Sequence, residues 1–351
     1  MKALPAILAL VPLSLAPICG APAQAQAQPQ TQPRSEATSC GPQRDLNFVC
    51  GLINVEDFVP VAGGRWLVGS SYKAGSVGFY LIDTTAKTAQ AVSLSLAAVP
   101  DKSYAGCAAP DLKGLVTHGL DAVAGAGDSA LLYAVNHGGR ESVEVFRLHP
   151  AQAAAQWIGC AILPEGASGN AVAHLPHGAF AVTKFLDTRD AQSFQHLMSG
   201  ERQGAVYLWK PGAGFSEVPG SRFAGDNGIV ASADGRFLYV NAYGSSEIYR
   251  VPLSGHAGAT SVKVDFHPDN LRWAPDGKIF VTGQFLTMQT LTPGSRHGWE
   301  TALLDPRTMT TREVLREPGL AAFDDATSTV QVGSTLWFCT FRGDRVAYRA
   351  Q

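Results

Sequence analysis

Short stretches of alternating apolar and polar residues run through most of this chain, and turns built on Gly, Asp or Pro separate them. A period of two marks a strand with one buried face, and no stretch carries the 3.6-residue period of a long amphipathic helix. One unit repeats. A polar residue opens an alternating run, a glycine-containing turn follows, and a run rich in β-branched and aromatic residues comes next. The openings are Glu56-Asp57-Phe58-Val59, His118-Gly119-Leu120-Asp121, Asn170-Ala171-Val172-Ala173, Asn227-Gly228-Ile229-Val230, Asn270-Leu271-Arg272-Trp273 and, more weakly, Thr327-Ser328-Thr329-Val330. They recur about every 43 to 61 residues, which suits a four-stranded blade with variable loops. The runs after the turns predict second strands over 65–68, 131–135, 179–182, 237–240, 278–281 and 335–338, and outer strands over 143–148 and 247–251. The expected fold is all-β, a six-bladed β-propeller of four-stranded blades around a central channel, spanning residues 46–351. A pair of β-sandwiches is the alternative that the same strands permit.

Composition narrows the class. The chain has 351 residues, 46% of them hydrophobic, with 27 basic against 29 acidic residues and a net charge of −2. That balance excludes the basic excess of a nucleic-acid binder. Beyond the N-terminus no uncharged apolar run is long enough for a membrane span. Residues 1–25 read as a cleavable secretory signal peptide: Lys2 supplies the positive start, an apolar stretch follows, and Ala23-Gln24-Ala25 supplies the cleavage site. Residues 26–45, rich in Gln, Pro and Ala, read as a disordered tether. The protein is thus expected in the periplasm or outside the cell, where disulfides persist. Five cysteines follow the leader: Cys40, Cys50, Cys107, Cys160 and Cys339. An odd count leaves one unpaired. Cys107 with Cys160 is the first expected pair, and Cys339 with Cys40 or Cys50 would tie the chain ends together.

In a propeller the first strand of every blade lines the channel, so residues at matching positions point toward one axial region. Here those residues are Glu56, Asp57, His118, Asn170, Asn227, Asp269 and Asn270. Nearly all offer oxygen. Carboxylates mixed with amides make a hard-oxygen set suited to calcium, which takes six to eight oxygen ligands in irregular geometry; zinc would call for more His or Cys.

These motifs resemble the paraoxonase/arylesterase group, within the wider superfamily of gluconolactonase, regucalcin and strictosidine-synthase-like propellers. The resemblance spans about residues 50–350. It is carried by His118-Gly119-Leu120, by Val135-Asn136-His137 with Ser142-Val143-Glu144-Val145-Phe146, by Asn227-Gly228-Ile229, and by Asp269-Asn270. It implies that Glu56, Asn170, Asn227, Asp269 and Asn270 hold a catalytic calcium ion. It further implies that Asp57 and the Leu120 carbonyl belong to a second, structural calcium, and that His118 and His137 form a catalytic pair. One position departs: Ala171 stands where the pattern has an acidic residue, which leaves Asp57 short of a carboxylate partner.

The expected chemistry is calcium-dependent hydrolysis of a small-molecule lactone or aryl ester by water that His118 deprotonates, with His137 as its partner. No G-x-S-x-G elbow is present to support serine-hydrolase chemistry. The alternative is a non-catalytic propeller that binds a ligand or partner and uses metal for stability. Trp66, Trp273 and Trp337 are expected in the blade core, and His174, His177, His196, His256, His267 and His297 on the surface or in loops. Residues 187–203 form a polar insertion, either a lid or a solvated loop, and Phe285-Leu286-Thr287-Met288-Gln289 is a candidate apolar entrance.

Overall fold

A computed structural model describes residues 39–104, 106–254, 258–292 and 294–351. The expected signal peptide, most of the tether and His256 lie outside the described residues. The chain enters through β1 (Asn47–Cys50). Blade one holds β2 (Phe58–Val61), β3 (Trp66–Ser70), β4 (Phe79–Asp83) and β5 (Thr88–Ala91), and β6 (Ser93–Leu96) follows. Blade two holds β7 (Thr117–Ala124), β8 (Ala130–Asn136), β9 (Ser142–His149) and β10 (Ala154–Ile162). Strand β6 lies parallel to β10 as a fifth, outermost strand. Blade three holds β11 (Ala167–His174), β12 (Phe180–Asp187), β13 (Ala205–Lys210) and β14 (Gly214–Glu217). A short helix, α1 (Ser193–Met198), sits between β12 and β13. Blade four is β15 (Asp226–Ala231), β16 (Phe237–Ala242), β17 (Glu247–Pro252) and β18 (Thr260–Lys263). Blade five is β19 (His267–Trp273), β20 (Ile279–Gln284), β21 (Trp299–Asp305) and β22 (Thr310–Glu317). Blade six is β23 (Ala326–Val332), β24 (Thr335–Thr340) and β25 (Arg345–Ala350), completed by β1. The all-β, six-bladed propeller is therefore the fold, and every predicted opening lies on or just before an innermost strand.

Apolar residues from facing blades interdigitate between them. Val68, Phe79 and Leu81 of blade one meet Leu120, Phe146 and Trp157 of blade two. Val330, Trp337 and Val346 of blade six meet Phe58, Leu67 and Ile82 of blade one. Each fully buried large side chain contributes about 1.5–3 kcal/mol, so these seams hold the ring closed. Of the three tryptophans expected in the core, Trp337 is fully buried and Trp66 packs partly buried against the seam of blades one and two. Trp273 is not core. It ends β19, is 40% exposed, and donates its indole N–H to the Ala231 carbonyl at 2.9 Å. Trp157 and Trp299 fill core positions instead.

The chain ends are joined by strand pairing rather than by Cys339. Asn47 of β1 pairs with Tyr348 of β25, and Cys50 with Arg345. Cys40 bonds to Cys50, and Cys107 bonds to Cys160 as expected. Cys339 is a free, buried thiol on β24, because its side chain points inward at the Glu56 carbonyl, 3.1 Å away. The end of the tether is fastened to the body: besides the Cys40 bond, the Gln43 side-chain oxygen accepts the Ala322 N–H at 3.1 Å. Two disulfides fit an exported protein. Among the described residues no helix is long and apolar enough to cross a membrane.

Candidate metal centre and histidine pair

The innermost strands are not regular where the predicted site residues lie. On β7, His118 and Gly119 together stand opposite Val135 alone. Asn170 and Ala171 stand opposite Thr183, Asn227 and Gly228 opposite Asn241, and Asp269 and Asn270 opposite Thr282. Each is a bulge, with two residues against one, and a bulge re-aims a side chain out of the pleat. The glycines have a steric cause. A Cβ on Gly119 would lie 2.4 Å from the Asn170 carbonyl, and one on Gly228 would lie 2.3 Å from the Asp269 carbonyl. Neighbouring blades approach too closely there for any side chain.

Polar groups stitch each blade to the next at this level. Ser71 N–H donates to Thr117 Oγ1 (2.8 Å), and Gly169 N–H to Glu141 Oε2 (3.0 Å). Thr183 Oγ1 donates to the Asn227 carbonyl (2.6 Å), and Asn241 Nδ2 to the Asp269 carbonyl (2.8 Å). Gln284 Nε2 donates to the Ala326 carbonyl (2.9 Å), and the Thr327 hydroxyl to the Glu56 carbonyl. Of these residues Ser71, Glu141, Gly169, Thr183, Asn241 and Gln284 were not singled out from sequence. Thr183, Asn241 and Gln284 stand on second strands, where the same repeat register would have found them.

Glu56, Asn170, Asn227, Asp269 and Asn270 are all buried. Asn270 Nδ2 donates to Glu56 Oε1 at 2.7 Å, and Gln284 Nε2 to Asp269 Oδ2 at 2.8 Å. Glu56 Oε2, Asn170 Oδ1 and Asn227 Oδ1 have no hydrogen-bond partner. Burying such oxygens without a partner costs about 1–3 kcal/mol each. Burial raises Glu56 well above the usual carboxylate range, and the neighbouring Asp57 raises it further. Burial, then the charge of Glu56, raises Asp269 in the same way. No group of three or more His, Cys, Asp or Glu side chains is set for a metal among the described residues. The candidate set is two carboxylates with three amides. Unpartnered hard oxygens beside mutually repelling carboxylates fit a hard cation, and calcium in particular.

His118 stands at the edge of this set, with its Nε2 3.5 Å from Glu56 Oε2. Its Nδ1 lies 2.9 Å from His137 Nε2. His137 Nδ1 lies 2.8 Å from Glu141 Oε1 and 3.0 Å from Glu141 Oε2. Tyr72 stacks on His118 with ring centroids 4.3 Å apart, and meets His137 edge-on at 5.6 Å. Burial, then the nearby His137, holds His118 well below the usual imidazole value, so it is neutral at pH 7.

Asp57 does not belong to this set. Its Oδ1 accepts the Phe58 N–H at 2.9 Å, and its Oδ2 accepts the Leu120 N–H at 2.8 Å and the Arg272 guanidinium. Arg272 also donates to the carbonyls of Leu120 (2.8 Å), Phe58 (3.0 Å) and Leu271 (3.2 Å). The Asp57 carboxylate and the Leu120 carbonyl, expected to hold a second calcium ion, are thus both occupied by a side-chain cation. Arg272 lay in a predicted opening, two residues after Asn270 and so on the same strand face. That alternation was its only signal in the sequence.

The rim is partly covered. In the insertion, Leu197 is buried and, with Phe194 and Met198, packs against Phe185, Tyr243 and Leu286, while Arg189 and Glu201 face solvent. Phe285 and Leu286 line a pocket of about 270 Å³ with His267, Gln284 and Thr290, and Met288 is 42% exposed. His297 lies in a loop, between β20 and β21, as one of the two expectations had it. It is buried, with Nδ1 2.8 Å from Asp325 Oδ1 and Nε2 3.0 Å from the Thr290 carbonyl.

No family model and no curated protein matches the chain. Solved structures do. A luciferin-regenerating enzyme is similar at a TM-score of 0.57 and 12% identity, over 86% of this chain and 92% of that one. A candidate gluconolactonase is similar at 0.54 and 14%, over 88% and 92%. A gluconolactonase from Xanthomonas campestris is similar at 0.51 and 17%, over 87% and 89%. At these identities the likeness establishes that this chain shares its propeller fold with those proteins.

Proposed function

We propose that this protein is an exported calcium-dependent hydrolase of lactones or aryl esters, akin to the paraoxonase/arylesterase group. The observation that carries the reading is the joint one: three unpartnered buried oxygens, from Glu56, Asn170 and Asn227, with a neutral His118 whose Nε2 is 3.5 Å from Glu56. The gluconolactonase name carried by proteins of this fold is in keeping with a cyclic ester as substrate.

Glu56, Asn170, Asn227, Asp269 and Asn270 would hold the ion. A calcium ion bound there would supply a fixed positive charge to a substrate carbonyl oxygen. His118 Nε2 accepts a proton from water as that water attacks the acyl carbon. The acyl carbon–oxygen bond then breaks, and the proton passes to the leaving oxygen, so the ring opens or the alcohol departs with no covalent enzyme adduct. Tyr72 fixes the plane of His118 by stacking, and His137 fixes its rotation through the 2.9 Å contact.

A panel of lactones and aryl esters, assayed with calcium and with chelator, tests this. The expected result is turnover that chelation abolishes and that His118→Gln lowers by about 10²–10⁴-fold, the usual contribution of general-base catalysis. Bound calcium with no turnover on any of the panel would favour the ligand-binding propeller instead.

A further inference from the structure

We propose that Glu141 is a positioning residue for the histidine pair: it holds both imidazoles as Nδ1–H tautomers, so that the bare Nε2 of His118 faces the channel. This rests on the reading of His118 as a base, but its test does not.

Glu141 closes the loop between β8 and β9. Asn136 folds that loop, accepting the Gly138 N–H at 2.9 Å and donating to the carbonyls of Gly138 (3.0 Å) and Arg140 (3.2 Å). Glu141 Oε2 takes the Gly169 N–H at 3.0 Å, a group that can only donate, and Ser168 Oγ is 3.4 Å from Oε1. The carboxylate is therefore an acceptor, and His137 Nδ1, 2.8 Å from it, is the donor. A neutral ring with its proton on Nδ1 has a bare Nε2. That atom lies 2.9 Å from His118 Nδ1, and two lone pairs do not face each other at such a distance. His118 Nδ1 thus carries the proton, and His118 Nε2 presents its lone pair toward Glu56. The same carboxylate joins blade two to blade three, so the β11 strand that carries Asn170 also anchors the orientation of the pair.

The assay is imidazole-nitrogen NMR on the ¹⁵N-histidine-labelled protein at pH 7.5, beside Glu141→Ala and Glu141→Gln. The expected wild-type spectrum has Nδ1–H on both His118 and His137. Glu141→Ala frees His137 Nδ1, and an Nε2–H population appears on His137. Glu141→Gln offers one acceptor to two donors and falls between. Glu141 is 26% exposed at its side chain, so both variants should fold, and Glu141→Gln, nearly isosteric, serves if the alanine form does not. For hydrolysis, kcat should fall about 10–100-fold, the usual cost of losing such an outer partner, with KM within about threefold. An Nε2–H on wild-type His118, or tautomers unchanged in Glu141→Ala, would overturn the assignment. These spectra decide the role of Glu141 whether or not the protein hydrolyses any ester, and so separate this inference from the proposed activity.

Discussion

Replacing Arg272 by Met should destabilise the propeller severely, and the structure gives the size of the effect. The guanidinium is buried, ion-paired to a fully buried Asp57, and bonded to three main-chain carbonyls from blades one, two and five. Methionine fills much of the volume but satisfies none of these groups. Asp57 would keep the Phe58 and Leu120 N–H groups and lose its counter-charge. Removing one partner of a buried pair costs about 3–5 kcal/mol, a large part of a total stability of about 5–15 kcal/mol. Burial already pushes Asp57 up, and Arg272 is the largest influence pulling it back down. Equilibrium unfolding in urea would measure the loss. In a double-mutant cycle with Asp57→Asn, the double variant should be markedly less damaged than the sum of the singles, with a coupling of about 1–3 kcal/mol. A loss below about 1 kcal/mol in Arg272→Met, or strict additivity, would refute the view that Arg272 is the internal cation of this level.

Three further outcomes are expected. His297 is raised above the ordinary imidazole value, first by its hydrogen bond to Asp325. Its contribution is fully present below about pH 6.5 and is lost as pH rises through the folded value. Amide exchange corrected for intrinsic rate should therefore show residues 287–292 and 294–296 loosening at high pH, and His297→Gln should remove that dependence. Exchange is read locally because His174, raised by Asp121, acts in the same direction elsewhere. Gly228→Ala should cost about 1–3 kcal/mol by overpacking, since its Cβ would meet the Asp269 carbonyl at 2.3 Å; thermal unfolding reads it. Cys339 should resist thiol reagents in the native protein and react only after denaturation, because it is buried and desolvation raises its thiol well above the usual value.

Much of this architecture was legible from periodicity. Alternation with glycine turns locates every blade, and the repeat register picks out Asn170, Asn227 and Asn270, which stand in bulges that recur at the same strand position, and Glu56, which lies just before β2. What sequence could not supply was partnership across blades. Asp57 looks like a metal ligand by its neighbour Glu56, yet its carboxylate turns to Arg272, which lies 215 residues later. Glu141 lies only four residues from His137. Its role depends on a loop fold set by Asn136, and no spacing rule predicts that. Trp273 was misplaced for a related reason: a strand residue at the blade's end can be exposed.

Calcium titration of the chelated protein by calorimetry tests the central claim most directly, run beside Glu56→Gln and Asn227→Ala. The account predicts one ion per chain, since Arg272 occupies the other cation position, and loss of binding in both variants while each stays folded. No binding in the wild type, or binding that neither substitution weakens, would contradict the candidate centre, and two ions per chain would contradict the place given to Arg272.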